Sequence, residues 1–109
     1  MVRMWGVPTN TMCRQHLLGE HVEMHMIVGS IKRGKSITGY TANGLLDTRL
    51  IQHRHDTLVT EITDRGYNHK SPLNYDDSLC DGSVDSDSNI VALSNRCPKC
   101  KYLQTIIGL

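Results

Sequence analysis

Aromatic side chains are scarce in this 109-residue chain, which has no phenylalanine, one tryptophan and four tyrosines. A hydrophobic core must therefore be built mainly from leucine, isoleucine, valine and methionine rather than from stacked rings. The chain length suits one core of ordinary size, so we expect a single domain over residues 1–109.

Long apolar stretches are also missing. No run approaches the roughly 18–20 residues that cross a bilayer, and the first residues lack the charged, apolar and small-residue series of a signal peptide. We therefore expect an intracellular, cytoplasmic protein with no membrane partner. In a reducing compartment the four cysteines favour free thiols or metal ligands over disulfides.

Neither sign of charge is in large excess, because the formal net charge is only +1. The distribution is uneven, however. Residues 1–40 have five Lys or Arg against two Glu, whereas residues 71–109 have three against five Asp. The basic N-terminal part is the better candidate for contact with a polyanion such as nucleic acid. The alternative interpretation is that the uneven charge distribution only keeps the protein soluble and binds no partner.

Helical periodicity predicts an all-α fold of about three helices with an extended N-terminal arm. The arm is residues 1–10, and the helices are predicted over about 11–31, 48–65 and 87–96. The basic stretch 31–40 is predicted as a loop. Gly66 stops the second helix, and Pro98 closes the third, with an apolar tail beyond it.

Three polar side chains of the first predicted helix share one face. His16, Glu20 and Glu23 follow one another at i, i+4 and i+7. Apolar residues flank this stripe: Leu17, Met24, Val28 and Ile31 on one side, and Leu18, Val22 and Met26 on the other. Carboxylates in such surroundings have raised pKa values unless paired, which makes them candidates for a functional site. Two structural interpretations stay open: the glutamates face water, or they pair with arginines and hold the arm.

Two patterns bear on metal binding. The stretch HVEMH at 21–25 has its glutamate in the third position rather than the second, which argues against an H-E-x-x-H metalloprotease. Cys97 and Cys100 have the spacing of half a zinc knuckle, and a closed site needs two more ligands from Cys80, Cys13 or a distant histidine. We assign no metal and no cofactor to the functional site, and keep a zinc-stabilised interaction domain as an alternative.

Three stretches together resemble the pyrimidine-dimer DNA glycosylases of the phage endonuclease V type. They are V-R-M near the start, Q-H-L-L-G-E-H-V-E-M-H at 15–25, and the segment from R-H-D to E-I-T-D-R-G-Y-N at 54–68. The resemblance covers the chain to about residue 73. Residues 1–73 then form a glycosylase-like core, 74–88 an acidic loop, and 89–109 a C-terminal helix and tail without a counterpart.

The resemblance implies a DNA-repair glycosylase with AP-lyase activity, acting as a monomer on damaged pyrimidines in double-stranded DNA, with ultraviolet pyrimidine dimers as the expected lesion. It assigns catalysis to Val2, Glu23 and His16. The α-amine of Val2, freed by removal of Met1, attacks the sugar and forms an imine, while Glu23 stabilises charge and assists β-elimination. DNA contacts are predicted at Arg3, Gln15 and Glu20, and at basic residues that could replace phosphate contacts of the family, Arg14, Lys32, Arg33 and Lys35.

The chain departs from the family pattern in two places. Val22 and Met26 stand where the family has arginines that grip DNA, and the aromatic C-terminal segment associated with dimer recognition is absent. Other basic residues, Lys70 among them, are candidates to replace the lost phosphate contacts. A non-catalytic nucleic-acid-binding protein of the same fold is therefore the second interpretation.

Overall fold

The computed structural model describes residues 3–69, 72–73, 75 and 82–107. These residues contain five α-helices: α1 (Arg14–Lys32), α2 (Thr38–Ala42), α3 (Ile51–Asp64), α4 (Ser86–Arg96) and α5 (Pro98–Ile107). Short 3-10 turns lie at Thr9–Thr11 and Thr48–Leu50. The all-α prediction is confirmed. None of the helices in the described ranges is long and apolar enough to span a membrane.

Local signals explain where the main helices begin and end. Gly34 follows α1 at φ +73° and Gly66 follows α3 at φ +84°, a conformation that glycine adopts without steric cost. Asp47 accepts a hydrogen bond from a backbone N–H in the turn that leads into α3, and Asp85 does the same at the start of α4. The predicted stop at Gly66 is therefore present, and aspartates cap the starts of both segments.

Two segments differ from the sequence prediction. Residues 98–107, predicted as an apolar tail beyond a helix-closing proline, form α5. Proline fits the first turn of a helix because the N–H that it lacks has no helical partner there, so Pro98 begins a helix. The predicted loop over 31–40 includes the start of α2, a helix of five residues. In addition, α1 begins at Arg14, after a separate 3-10 turn.

The predicted N-terminal arm lies between helices. Met4, Trp5 and Val7 are all buried. The amide of Asn89 on α4 donates a hydrogen bond to the Trp5 carbonyl (2.7 Å), and the guanidinium of Arg54 on α3 donates to the Val7 carbonyl (2.9 Å). The extended backbone of the arm thus finds its partners in side chains of two different helices.

The centre of the core lies where α1 packs against α3. Leu17 and Met24 of α1 meet Ile51, Leu58 and Ile62 of α3, and all five are almost fully buried. These residues follow the helical spacing seen in the sequence, which explains why both helices could be predicted from the pattern alone.

The two predicted apolar flanks of α1 are buried to different degrees. Leu17, Met24 and Val28 of the first flank are buried, whereas Val22 and Met26 of the second flank are 53% and 52% exposed. Leu18, also of the second flank, is partly buried against the core. The polar stripe therefore has the core on one side and a largely exposed flank on the other.

Candidate active site

Glu23 lies in the middle of α1, partly buried, where the N-terminal arm passes the helix. The backbone N–H of Arg3 donates a hydrogen bond to its Oε2 across 3.3 Å. The Arg3 guanidinium is held separately: one terminal nitrogen donates to Asn89 Oδ1 (2.7 Å), and its central carbon lies 3.8 Å from the centroid of the Trp5 ring. Arg3 and Glu23, both predicted site residues, are thus in direct contact.

The surroundings of Glu23 change its acidity. Burial raises the pKa of its carboxyl group, the hydrogen bond from the Arg3 N–H lowers it, and the nearby Glu20 raises it, with a net upward shift. A carboxyl group whose pKa lies above the ordinary value is suited to take up and return a proton under mild conditions.

Glu20 lies one turn before Glu23 and points into the protein. Its two carboxylate oxygens accept hydrogen bonds from Arg54 at 2.5 and 3.0 Å, and its side chain has no exposed surface. Glu20 was predicted as a DNA contact, but the structure turns it toward Arg54, away from any surface that DNA could reach. The alternative in which a glutamate pairs with an arginine and holds the arm describes Glu20, because Arg54 also binds the Val7 carbonyl.

His16 lies seven residues before Glu23, roughly 10 Å away along the helix axis. Its Nδ1 is 3.2 Å from the sulfur of Cys13 and 3.6 Å from the sulfur of Cys100. Its ring meets the Trp5 ring edge-on, with centroids 6.2 Å apart. The structure therefore brings His16 to a group of cysteines rather than to Glu23.

The other described residues that were predicted to contact DNA lie on the surface. They form two groups at opposite ends of α1: Arg14 and Gln15 at its start, and Lys32, Arg33 and Lys35 at its end. A helix of 19 residues is about 28 Å long, which corresponds to roughly eight base pairs of duplex. Glu23 lies between the two groups. Val2, the predicted nucleophile, and Lys70 lie outside the described residues.

The family model for pyrimidine dimer DNA glycosylase matches residues 2–75, which is more than half of the chain. The chain belongs to the pyrimidine dimer DNA glycosylase family. Its general function is therefore that of a DNA-repair glycosylase with DNA as substrate. Neither the comparison with curated proteins nor the comparison with solved structures finds a match. The matched range includes α1, α2 and α3, and ends before α4 and α5.

Two side chains that position the arm of this glycosylase were missed by the sequence analysis. Arg54 occurs in the stretch that carries the family resemblance, but nothing in the pattern indicates that it pairs with Glu20. Asn89 lies beyond the family match, yet it is buried and binds both the side chain of Arg3 and the backbone of Trp5. Both contacts join residues far apart in sequence, and no local signal points to them.

A histidine cluster lies between α1 and α3 of the glycosylase. The rings of His21 and His25 on α1 and His55 on α3 have centroids 4.8–5.0 Å apart, and the Nε2 atoms of His21 and His69 are 3.0 Å apart. Burial, followed by the neighbouring imidazoles, lowers the pKa of His21 to about 4. At physiological pH His21 is therefore neutral, and it adds no positive charge to the cluster. The sequence showed the spacing of His21 and His25, but it did not show that both rings pack against His55 of α3.

Proposed function

We propose that this glycosylase removes ultraviolet-damaged pyrimidines from double-stranded DNA and then cleaves the strand as an AP lyase. The nucleophile in this proposal is the α-amine of Val2, freed by removal of Met1. An α-amine with its ordinary pKa near 8 has an appreciable neutral fraction at physiological pH, unlike a lysine. The observation that carries the proposal is the 3.3 Å hydrogen bond from the Arg3 N–H to Glu23.

That hydrogen bond supports the proposed nucleophile through the connectivity of the chain. Successive residues of a fully extended chain advance by at most about 3.6 Å. The N–H of Arg3 is one residue from the Val2 nitrogen, so the contact brings the start of the arm to the acid. An amine, a carboxyl group and a sugar carbon must meet in this chemistry, and Glu23 is the carboxyl group next to the arm.

The first proposed step displaces the damaged base. The amine nitrogen forms a bond to the sugar C1′, the bond from C1′ to the base breaks, and the base leaves with the bonding electrons and takes up a proton. Loss of a proton from nitrogen and opening of the sugar ring then give an imine. As a carboxylate, Glu23 stabilises the positive charge that develops on the sugar.

The second proposed step breaks the strand. A proton leaves C2′, and the bond from C3′ to its oxygen breaks as the phosphate departs with the electron pair. Water then hydrolyses the imine and regenerates the amine. The raised pKa of Glu23 suits it to accept and return protons in these steps.

Arg3 offers a hydrogen-bond donor to the substrate. Its Nε is buried and has no hydrogen-bond partner within the described part of the chain, although Asn89 holds the terminal nitrogen of the same group. Buried donors without partners are rare in folded proteins. In this proposal the groups that cover Nε move when an extruded nucleotide enters, and Nε then donates to an oxygen of its sugar-phosphate, where a charge-assisted hydrogen bond is strong.

Borohydride trapping tests the proposal, because borohydride reduces an imine to a stable amine that links protein to DNA. We expect a trapped adduct with dimer-containing duplex and with abasic duplex, and peptide mapping that places the link at Val2. Glu23→Gln is expected to bind DNA without cleaving it. The control Glu61→Gln, on α3 and paired with Arg65, is expected to cleave normally.

Each other outcome has a defined meaning. Absence of an adduct with both DNA substrates overturns the imine mechanism. Specific DNA binding by the unaltered protein and by Glu23→Gln, with no cleavage by either, supports the non-catalytic interpretation instead. An adduct that maps to a lysine retains lyase chemistry but contradicts Val2 as the nucleophile.

A further inference from the structure

Three cysteines and one histidine converge where the start of α1 meets the junction of α4 and α5. Cys13 immediately precedes α1 and His16 lies in its first turn, while Cys97 joins α4 to α5 and Cys100 lies in the first turn of α5. One nitrogen or sulfur atom from each residue lies within 4.8 Å of the others. The two halves of the cluster are more than 80 residues apart in sequence, so the fold itself assembles it.

The distances match a tetrahedral zinc site. Bonds of about 2.3 Å to sulfur and about 2.0–2.1 Å to nitrogen place two sulfurs about 3.8 Å apart, and a sulfur and a nitrogen about 3.6 Å apart. The sulfurs of Cys13 and Cys97 are 3.8 Å apart, and Cys100 Sγ is 3.6 Å from His16 Nδ1. A third pair, Cys13 Sγ and His16 Nδ1, is closer at 3.2 Å, and the other three pairs lie within 4.8 Å.

A disulfide does not account for this arrangement. Cys13, Cys97 and Cys100 are all free thiols. A disulfide would use two sulfurs and leave the third sulfur and the imidazole without a role. A metal ion uses all four groups at once, which explains why the His16 nitrogen faces two sulfurs.

A backbone N–H group contacts one of the sulfurs. The N–H of Cys13 donates to Cys100 Sγ across 3.2 Å. A donor of this kind fixes the orientation of a sulfur ligand in a metal site.

We propose that Cys13, His16, Cys97 and Cys100 bind one Zn²⁺ ion in a closed structural site. Three thiolates and one imidazole select zinc over magnesium or calcium, which prefer oxygen ligands. Four protein ligands leave no open position for a water molecule, so the ion stabilises the fold and does not activate water. Binding releases the thiol protons to solvent as the metal–sulfur bonds form.

The zinc ion would join the family core to the segment that follows it. Cys13 and His16 lie within the matched range of 2–75, whereas Cys97 and Cys100 lie beyond it. The site thereby fixes α4 and α5 against the start of α1, and α4 supplies the Asn89 side chain that holds Arg3. In this proposal His16 is a metal ligand, in place of the catalytic role that the family resemblance implies for it.

Metal analysis of the protein purified without chelators tests the proposal. The unaltered chain is expected to contain one zinc per molecule, and Cys97→Ser, Cys100→Ser and His16→Ala are expected to lose it. Two matched controls are expected to keep it: Cys80→Ser, the remaining cysteine of the chain, and His53→Ala, an exposed histidine of α3.

Cobalt substitution provides a readout that does not require any variant to fold. Co²⁺ bound to the unaltered chain is expected to give thiolate-to-metal charge-transfer bands and the intense visible bands of a tetrahedral ion, and added Zn²⁺ should abolish both. Fully reduced protein that binds neither metal overturns the proposal. Zinc retained by a Cys97→Ser/Cys100→Ser double variant also overturns it, because the metal would then lie elsewhere. Borohydride trapping tests the imine mechanism and not the metal site. A failure of the proposed function can therefore be distinguished from a failure of the zinc proposal.

Discussion

Arg54 closes a buried two-point ion pair with Glu20, with nitrogen–oxygen distances of 2.5 and 3.0 Å. The same guanidinium donates to the Val7 carbonyl at 2.9 Å, so one side chain joins α3 to α1 and to the N-terminal arm. Burying two charges costs solvation free energy that their attraction only roughly offsets. The main effect of the pair is therefore to fix the position of the arm. Removing one partner should destabilise the protein, because the other charge then stays buried without compensation.

Arg54→Met is expected to lower the free energy of unfolding by about 3–5 kcal/mol, because it leaves the Glu20 carboxylate buried without a counter-charge. Urea unfolding followed by circular dichroism measures the change. Arg49→Met is the comparison variant and should cost less, because Arg49 is exposed and the backbone N–H at position 49 still donates to the buried Asp47 carboxylate after the change. The double variant Glu20→Met/Arg54→Met should be more stable than Arg54→Met. Equal losses for Arg54→Met and Arg49→Met would contradict this account.

The fold was largely predictable because the information for α1 and α3 is local. Apolar spacing, a capping Asp47 and a terminating Gly66 all lie within the segments that they define. The prediction missed α5 because Pro98 was interpreted as the end of one helix when it begins the next. It missed α2 because that helix is little more than one turn and has almost no periodicity to detect.

The candidate site was predictable only in part, and the missed residues share one property. Glu23 and Arg3 follow from a spacing that resembles a known family. Asn89 reaches Arg3 across 86 positions, and Cys100 reaches His16 across 84. Contacts of that sequence separation depend on how the helices pack. The spacing of Cys97 and Cys100 therefore indicated two ligands of the proposed metal site but did not identify the other two.

Asn89→Ala is expected to slow formation of the trapped adduct and to destabilise the protein by about 1–3 kcal/mol, since it leaves the buried Trp5 carbonyl without its donor. Asn95→Ala, at an exposed position of the same helix, is the control and should behave like the unaltered protein. Single-turnover trapping on abasic DNA together with urea unfolding separates the two effects. An Asn89→Ala variant that traps at the normal rate would show that the position of Arg3 does not depend on this amide.

Cleavage by the glycosylase is expected to lose rate as the pH falls through the pKa of Glu23, because the carboxylate form is the one that stabilises charge and accepts a proton. Burial, the leading cause, raises that pKa, so the midpoint of this acidic limb should lie above the ordinary glutamate pKa of 4.5. Adduct formation measured against pH tests this, within the range where circular dichroism shows folded protein. Protonation of the attacking α-amine, whose ordinary pKa is near 8, gives a separate decline that every variant should share. The second decline, at lower pH, should persist in Glu23→Asp and disappear from any residual trapping by Glu23→Gln. A midpoint at or below 4.5 would contradict the conclusion that burial raises the pKa of the Glu23 carboxyl group.

Stability is expected to fall between pH 6.5 and about 4 because of His21. Its pKa is about 6.5 in the unfolded chain and about 4 in the folded protein, so the unfolded state binds more protons throughout this window. The stabilisation is complete above pH 6.5 and is lost progressively as the pH falls toward 4. The slope is at most about 1.4 kcal/mol per pH unit for one proton. The groups around His21 are the imidazoles of His25, His55 and His69.

Urea unfolding at a series of pH values measures this loss. His21→Gln should flatten the dependence between pH 6.5 and 4 because it removes the group that takes up the proton. His53→Gln should leave the dependence unchanged, since His53 is an exposed residue of α3. A free energy of unfolding that stays constant for the unaltered protein across this window would show that His21 titrates normally in the fold.

Val22→Arg and Met26→Arg are expected to strengthen DNA binding, because both positions are half exposed on the helix that contains Glu23. They lie four residues apart, hence on one face of α1, where a duplex that reaches Glu23 would pass. Each new phosphate contact should steepen the plot of log affinity against log salt by about 0.9. Val91→Arg adds the same charge at an exposed site on α4 and is the control. If all three variants gain equally, the effect comes from net charge alone, and the duplex does not lie along this face of α1.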